Sequence, residues 1–255
     1  MTVVFQHLRN TKNIGDRWCS PFDWLTFPFK SEAKDVREDS DTYKVSIISG
    51  GKIFGGLSSY AGVQEPKNRL NIAWGVSTVQ KFPISVRYSK SRKLMSIVGT
   101  RDWGDNRFRW VPCASCMAPH FNEIQKPEHE VVFYYHAGKT EKQKIKIPDH
   151  IPKLSNNAVT LSEALRFIAS GKTVVSNSYH GVYWAMLMGR KTICIPFSNK
   201  FNFYRLPPTY ASARNWETKL EYANAHPNFL SICREATRSY ETHINKCVTQ
   251  FLTQK

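Results

Sequence analysis

The sequence lacks the features that would place the chain in a membrane or mark it for export. No apolar run approaches the roughly 18 residues that a membrane-spanning helix needs. The first segment, "MTVVFQHLRNTKNIGD", soon turns polar and does not show the basic and then apolar pattern of a signal peptide. We therefore expect a cytoplasmic protein whose six cysteines are reduced thiols.

Acidic residues are scarce relative to basic ones. The chain has 20 Asp and Glu residues against 36 Lys and Arg residues, which gives a formal net charge of +16. This balance favours polyanionic partners, namely nucleic acid, anionic lipid headgroups or a phosphorylated substrate. Because the basic residues are scattered and no RRM, KH or zinc-finger pattern occurs, we expect no specific nucleic-acid partner. Two kinds of polyanionic partner are still expected: an anionic phosphate donor, and the anionic inner surface of a membrane in peripheral contact with the protein.

Ligands for a metal ion are also few. Cys113 and Cys116 in "CASC", together with His120, resemble half of a zinc site, but a second ligand pair at zinc spacing is missing. The surrounding loop, "VPCASCMAP", does not open a helix after a first strand, as a redox pair of the CxxC type would. We expect no metal and no redox cofactor.

The composition and the order of the patterns indicate the fold class. Apolar residues make up 41% of the chain and aromatic residues 13%, which is enough to bury a core. Short apolar runs alternate with helical patterns in both halves, which predicts an α/β fold with a mostly parallel sheet in each half. Proline and charge dominate 117–130, the predicted boundary between an N-terminal domain (1–122) and a C-terminal domain (130–255) that ends in an amphipathic helix.

The most informative segment is "KTVVSNSYHGVYWAMLMGRKTICIPFSNKF", residues 172–201. It predicts a strand, a polar turn, a helix that stops at Gly189, and a second strand closed by Pro196. In parallel sheets ligands collect at the carboxyl ends of strands, and a helix N-terminus there offers N–H groups and a positive dipole to a phosphate. The turn that we expect to face such a ligand comprises Asn177, Ser178, Tyr179, His180 and Gly181.

Individual side chains in this segment have both a binding and a structural interpretation. His180 could donate to a phosphate or act as a general acid near neutral pH, and Gly181 would let a ligand approach the backbone. Lys200, beyond the next strand, could add positive charge. The alternative is that Ser178 caps the helix and His180 packs beside it.

The segment "SNSYHGVYWAMLMGRKTICIPFSNKF" resembles the C-terminal signature of the polysaccharide pyruvyl transferase family. That signature is a strand, a small polar turn ending in histidine, a helix with a small-residue face, a glycine before the second strand, and a lysine shortly after it. The N-terminal half contains weaker similarities in the expected order: "NIGD" (13–16), "SGG" (49–51), "WGVS" (74–77) and "RD" (101–102). The chain departs from the family at Ser178, where the family usually has an arginine suited to bidentate binding of a carboxylate or phosphate.

The resemblance implies two Rossmann-like domains in a GT-B-like arrangement with the site in the cleft between them. It also implies that a pyruvyl group moves from phosphoenolpyruvate, a co-substrate, to a sugar of an exopolysaccharide or lipid-linked glycan precursor. Forming a ketal in this way requires protonation of the donor's methylene carbon, deprotonation of an attacking hydroxyl, and departure of phosphate.

Such a site needs a cationic cradle, a general acid and a general base. The candidates are His180 as phosphate contact or acid, Arg101 and Lys200 for the cradle, Asp102 or Asp16 as base or sugar ligand, and His136 as a further residue that reaches the cleft. Each has a plainer alternative: Arg101 and Asp102 could form a surface ion pair, Asp16 could cap a loop, and Lys200 could be solvated.

A different function stays open at this point. A GT-B-like glycosyltransferase that uses a nucleotide-activated sugar would place a diphosphate at the same helix N-terminus. The serine at position 178, where the family usually has an arginine, favours this alternative.

Overall fold

The computed structural model describes residues 2–38, 42–51, 69–78, 86–157 and 160–254. The described residues form two compact units. The first unit takes its residues from Met1–Thr11, Asp16–Met117 and Cys233–Lys255, and the second from Lys12–Gly15 and Ala118–Ile232.

Among the described residues, the first unit contains a six-stranded sheet in which every pair is parallel. Its spatial order is β2-β1-β3-β4-β5-β6. The strands are β1 (Val3–His7), β2 (Ser31–Asp35), β3 (Val45–Ser49), β4 (Leu70–Val76), β5 (Ile97–Thr100) and β6 (Arg109–Trp110), with α1 (Ile14–Arg17) after β1 and α2 (Val86–Lys93) before β5. Strands β1 and β3 are buried along their whole length, as expected for near-continuous apolar runs at the centre of a parallel sheet.

The described part of the second unit contains a five-stranded parallel sheet in the order β11-β10-β9-β7-β8. Its strands are β7 (His129–Tyr135), β8 (Lys153–Ser155), β9 (Gly171–Ser176), β10 (Lys191–Cys194) and β11 (Thr209–Tyr210). Its helices are α3 (Ala137–Thr140), α4 (Leu161–Ala169) and α5 (Tyr179–Leu187). The last helix, α6 (Phe229–Thr253), begins in this unit and belongs to the first unit from Cys233 onward.

Local signals explain where the helices of the second unit begin and end. Thr160 and Glu163 form the capping box predicted at the start of α4: the Thr160 hydroxyl accepts from the Glu163 N–H, and the Glu163 carboxylate accepts from the Thr160 N–H. Helix α5 is buried at every position and is followed by Gly189, whose φ of +64° lies in the left-handed region. The predicted strand–helix–strand unit is therefore confirmed as β9-α5-β10.

Both sheets share one topology, which marks where a ligand would bind. In each, the first strand of the unit lies between the second and the third, so the chain winds in opposite directions from that strand. Open α/β sheets bind ligands at the carboxyl ends of strands beside such a switch point. The two switch points lie between β1 and β3 and between β7 and β9.

The C-terminal helix α6 supplies core residues to the first unit. Tyr240, Ile244 and Val248 are almost fully buried and pack with residues of β1, β3 and β4. The Tyr240 hydroxyl donates to the Ala73 carbonyl at 2.9 Å. The domain limits 1–122 and 130–255 stay a prediction, but the helix that they place in the second domain packs on the first sheet from Cys233 onward.

No helix in the described part of the chain combines the length and hydropathy needed to cross a membrane. The cysteines all lie in described residues and are thiols, of which Cys247 alone is not fully buried.

Candidate functional site

Asn177 connects the two loops at the switch point of the second sheet. Strand β7 is followed by His136, and strand β9 is followed by Asn177, which is fully buried. The Asn177 Oδ1 accepts from the His136 N–H at 2.8 Å, while its Nδ2 donates to Thr140 Oγ1 at 3.0 Å and to Gln143 Oε1 at 2.8 Å. The amide predicted to bind substrate thus makes structural hydrogen bonds that position the loop after β7.

Ser178 caps helix α5, as the structural interpretation of the sequence predicted. Its Oγ accepts from the Gly181 N–H at 3.5 Å, and its own N–H donates to Ser176 Oγ at 3.0 Å. A Cβ at Gly181 would lie 2.5 Å from Ser176 Oγ and 2.5 Å from Tyr134 Cδ1. Close packing of the helix on the sheet is therefore enough to require glycine at position 181.

His180 is the second residue of α5 and is buried, with 4% of its surface exposed. Its ring lies beside the rings of Tyr179 and Trp184, at centroid distances of 5.7 and 5.4 Å. It also lies directly on the backbone of Gly15, where a Cβ would stand 2.1 Å from Nδ1 of His180. Gly15 of the "NIGD" segment and the histidine of the C-terminal signature are thus neighbours within the second unit.

Asn156, which the sequence analysis missed, fixes the segment that carries Gly15. Its carbonyl accepts from the Ile14 N–H at 3.1 Å, and its Nδ2 donates to Asn13 Oδ1 at 3.1 Å. The Asn156 Oδ1 accepts from the Ala137 N–H at 3.1 Å, next to His136. The available signal was the polar "SNN" at the end of the strand run, the same kind of signal that identified "SNS" after β9.

Two lysines and a histidine surround the ring of Phe197, and we call His136, Lys139, Phe197 and Lys200 the Phe197 cluster. Nζ of Lys200 lies 4.7 Å from the Phe197 ring centroid and Nζ of Lys139 lies 5.4 Å from it. The His136 ring meets the same ring edge to face at 5.4 Å. All four residues are half-buried, so the cluster is in contact with solvent. The sequence predicted His136 and Lys200 but not Lys139, which lies only three residues beyond His136.

The cluster is electrostatically positive. Burial lowers the pKa of His136, and the charges of Lys200 and Lys139 lower this pKa further, so the ring is neutral at neutral pH. Its Nδ1 is buried and has no hydrogen-bond partner among the described residues. Lys200 also lies 5.8 Å from the ring of Tyr179, whose carbonyl accepts from the Tyr204 hydroxyl. This arrangement suits an anion.

Arg101 and Asp102 lie at the carboxyl edge of the first sheet and are buried, with 4% and 1% of their surfaces exposed. The interpretation of these residues as a surface ion pair is therefore wrong. The Asp102 Oδ2 accepts from Ser77 Oγ at 2.8 Å and from the Thr78 N–H at 2.7 Å, which joins the ends of β4 and β5. The Arg101 guanidinium lies against Gly51, where a Cβ would stand 2.8 Å from both Nη atoms.

The interactions of Cys19 show which residues lie near Arg101 at this edge of the sheet. Its thiol donates to the Asp16 carbonyl at 3.1 Å. Burial raises the thiol's pKa, Cys113 and Asp16 raise it further, and Arg101 lowers it. The predicted residues Asp16, Arg101 and Asp102 therefore lie at one edge of the first sheet, and the other predicted residues lie at the corresponding edge of the second.

The "CASC" segment forms a short 3₁₀ helix, Ala114–Met117. The Cys113 thiol interacts with Ser115 Oγ at 3.3 Å, and the Cys116 thiol with Thr237 Oγ1 at 3.3 Å. In the ranges that the structure describes, no group of three His, Cys, Asp or Glu residues has the geometry to hold a metal ion.

Two solved structures are similar to the chain at very low sequence identity. The UDP-GlcNAc 2-epimerase of Methanocaldococcus jannaschii, solved with UDP-GlcNAc and UDP, is 7% identical and superposes with a TM-score of 0.56 over 95% of this chain and 99% of that one. The wall teichoic acid polymerase TagF is 10% identical, with a TM-score of 0.48 over 99% of this chain and 89% of that one. No curated protein matches the chain.

The epimerase match supports the predicted fold class, two Rossmann-like, mostly parallel sheets of the GT-B-like type. The model of the family described as polysaccharide pyruvyl transferase matches residues 4–199, which is well over half of the sequence. This chain belongs to the polysaccharide pyruvyl transferase family and is a transferase.

Proposed function

We propose that the protein transfers the pyruvyl group of phosphoenolpyruvate to a sugar of an exopolysaccharide or lipid-linked glycan precursor, and that the Phe197 cluster binds the donor. The observation that carries the proposal is the pair of ammonium groups, from Lys139 and Lys200, held within 5.4 Å of one aromatic ring in the loops that follow β7 and β10 of the second sheet. Phosphoenolpyruvate carries a phosphate and a carboxylate. Two cations fixed on one ring by cation–π attraction match two anionic groups on one small molecule.

Two histidines are assigned roles in ketal formation. His136 is neutral and half-buried, so it can donate a hydrogen bond to the donor without adding a third positive charge. His180, at the start of α5, is the proposed acid that protonates the donor's methylene carbon. The attacking sugar hydroxyl gives its proton to the base and bonds to C2 of the donor. A second hydroxyl then bonds to C2 as the C2–O bond to phosphate breaks, and the proton of that hydroxyl leaves with the phosphate.

The roles of the first unit's residues are part of the same proposal. Asp16, which is half-buried, is the preferred candidate for the base or for a ligand of sugar hydroxyls. Asp102 is less suited to this role because its Oδ2 already accepts two buried hydrogen bonds. Arg101 stays the candidate for additional positive charge.

The family match favours this donor over a nucleotide-activated sugar. The positive cluster by itself would accept either, because both donors carry phosphate. A binding experiment therefore has to include both.

Lys139→Ala and Lys200→Ala are each expected to weaken phosphoenolpyruvate binding about 10- to 100-fold. A hydrogen bond to a charged group contributes about 1.5–3 kcal/mol, and about 1.4 kcal/mol corresponds to a tenfold change in Kd. Isothermal titration calorimetry measures the effect, with UDP and UDP-sugars as competing ligands. Lys142→Ala is the matched control because Lys142 is exposed on the same stretch of chain, and its Kd should stay within about twofold of wild type.

Two outcomes would contradict the proposal. Binding of nucleotide sugars without binding of phosphoenolpyruvate would support the glycosyltransferase alternative. Unchanged phosphoenolpyruvate affinity in both lysine variants would place the donor away from the Phe197 cluster.

We further propose that the protein is cytoplasmic and in peripheral contact with an anionic membrane surface. The net charge of +16 supports this location. Each basic residue near such a surface contributes about 1 kcal/mol of attraction. We expect the protein to sediment with vesicles that contain anionic lipid at low salt and to be released at about 0.5 M salt, where charges are screened. Vesicles of zwitterionic lipid are the control, and failure to bind anionic vesicles at low salt would exclude this location.

A further inference from the structure

Residues 86–110 of the first unit, which run from α2 through β5 to β6, contain no exposed carboxylate. The sequence there has seven basic residues and two acidic ones, Asp102 and Asp105. Asp102 is 1% exposed, and the side chain of Asp105 is 4% exposed. The Asp105 carboxylate accepts from Arg107 Nε at 2.7 Å and from Thr78 Oγ1 at 2.5 Å, so its charge is balanced within the unit.

Helix α2 and the loop after β5 meet at Phe108. The guanidinium groups of Arg92 and Arg107 each lie 5.4 Å from the Phe108 ring centroid, and both arginines are exposed. Lys90 and Lys93, one turn apart on α2, are exposed as well. The helix and the loop thus form one basic surface. We call it the Phe108 surface, and it comprises Lys90, Arg92, Lys93, Trp103, Arg107 and Phe108.

Trp103 adds an accessible aromatic ring to this surface. It is 44% exposed, the largest exposed fraction among the large apolar residues that the structure describes in the first unit. Its ring packs edge to face on Trp110 at a centroid distance of 5.6 Å, and the Trp110 indole N–H donates to the Arg101 carbonyl at 3.1 Å. A Cβ at Gly104 would meet no atom within 4 Å, so the turn that carries Trp103 is open to solvent.

We infer that the Phe108 surface binds the anionic face of a lipid bilayer. Basic side chains are attracted by the negative surface potential of anionic lipids, and tryptophan is enriched at the level of the lipid headgroups. Exposed cations beside one accessible indole are complementary to that interface. Single-stranded nucleic acid fits less well, because such sites stack successive bases on several rings and the Phe108 ring already carries two guanidinium groups.

The inference rests on the proposed function, for which it supplies the surface that meets the membrane. Trp103 directly follows Asp102 at the carboxyl edge of the first sheet, where a ligand is expected. A lipid-linked acceptor is anchored in the bilayer by its lipid. Docking through Trp103 brings this edge of the sheet close to the acceptor's sugars.

Sedimentation of the full chain with vesicles of phosphatidylcholine and phosphatidylserine tests the surface. The double variant Lys90→Ala/Lys93→Ala is expected to bind about 10- to 30-fold more weakly at low salt, because two attracted charges are lost. Trp103→Ala should bind about tenfold more weakly, because the indole no longer enters the interface. Lys126→Ala/Lys191→Ala removes two exposed lysines of the second unit and is the matched control, with an expected change of less than about threefold.

Tryptophan fluorescence provides a readout that a change of net charge alone would not affect. Entry of Trp103 into the interface moves its indole to a less polar place, so the wild-type emission should shift to shorter wavelength when anionic vesicles are added. Trp103→Phe keeps an aromatic ring and should lose this vesicle-dependent shift. Thermal unfolding of each variant checks that the fold is retained, as the exposure of the three substituted side chains leads us to expect.

Equal vesicle binding by the wild type, the double lysine variant and Trp103→Ala would overturn the inference, as would no binding of the wild type to anionic vesicles. Binding of a single-stranded oligonucleotide that the double variant loses, without vesicle binding, would assign the surface to nucleic acid instead. Titration with phosphoenolpyruvate keeps the proposed function separate, since the Kd of these variants should stay within about twofold of wild type. Vesicle binding that is lost in the variants supports the surface even if phosphoenolpyruvate does not bind.

Discussion

Gly15→Ala is expected to remove most of the transferase activity, because its new methyl group would stand 2.1 Å from Nδ1 of His180. Tyr179 and Trp184 already flank the histidine, so the ring can move only by disturbing the start of α5 or by displacing the segment that carries Gly15. Overpacking of this kind costs about 1–3 kcal/mol of stability. We expect at least a tenfold fall in kcat/KM, the scale of about 1.4 kcal/mol in transition-state binding.

The control for Gly15→Ala is Gly138→Ala. A Cβ at Gly138 meets no atom within 4 Å, so this variant should keep wild-type activity. Steady-state kinetics and thermal unfolding of both variants give the comparison. Wild-type kinetics in Gly15→Ala would show that the position of the His180 ring does not matter for transfer.

Asp102→Ala is expected to lower the free energy of unfolding of the first unit by about 2–4 kcal/mol, since two buried donors each lose their acceptor. These donors are the Ser77 hydroxyl and the Thr78 N–H, at 2.8 and 2.7 Å from Oδ2. Urea unfolding monitored by fluorescence measures the change, analysed for two transitions if the units unfold separately. Asp149→Ala, at an exposed carboxylate, should have almost no effect.

The same variant tests the role that the sequence predicted for this residue. If Asp102 is the catalytic base, kcat falls while the unfolding free energy stays at the wild-type value. The hydrogen bonds of the carboxylate lead us to expect the opposite pattern.

Much of the fold was predictable because its signals are local. The Thr160–Glu163 capping box, the glycine after α5 and the apolar runs of the strands each depend on residues close together in the sequence. The packing of α6 on the first sheet was not predictable in this way. An apolar stripe shows that one face of a helix is buried, but not which surface buries it.

The candidate site was predictable in its outline and not in its details. The rule that ligands bind at the carboxyl ends of parallel strands identified His136, His180 and Arg101 from their places after strands. It could not reveal that the Asn177 amide is occupied by its neighbours, or that Gly15 lies under His180. Such contacts join residues far apart in the sequence, and their geometry depends on the packing of the whole unit.

The complete burial of α5 has a consequence for how donor specificity could be changed. A helix without a solvent-facing side tolerates few residue types at any position, so its sequence is dictated by the core whatever the ligand. The residues of the Phe197 cluster are half-buried and lie outside this helix. Under the proposed function, a library that varies Lys139 and Lys200 while keeping α5 intact would therefore change donor specificity without disturbing the core.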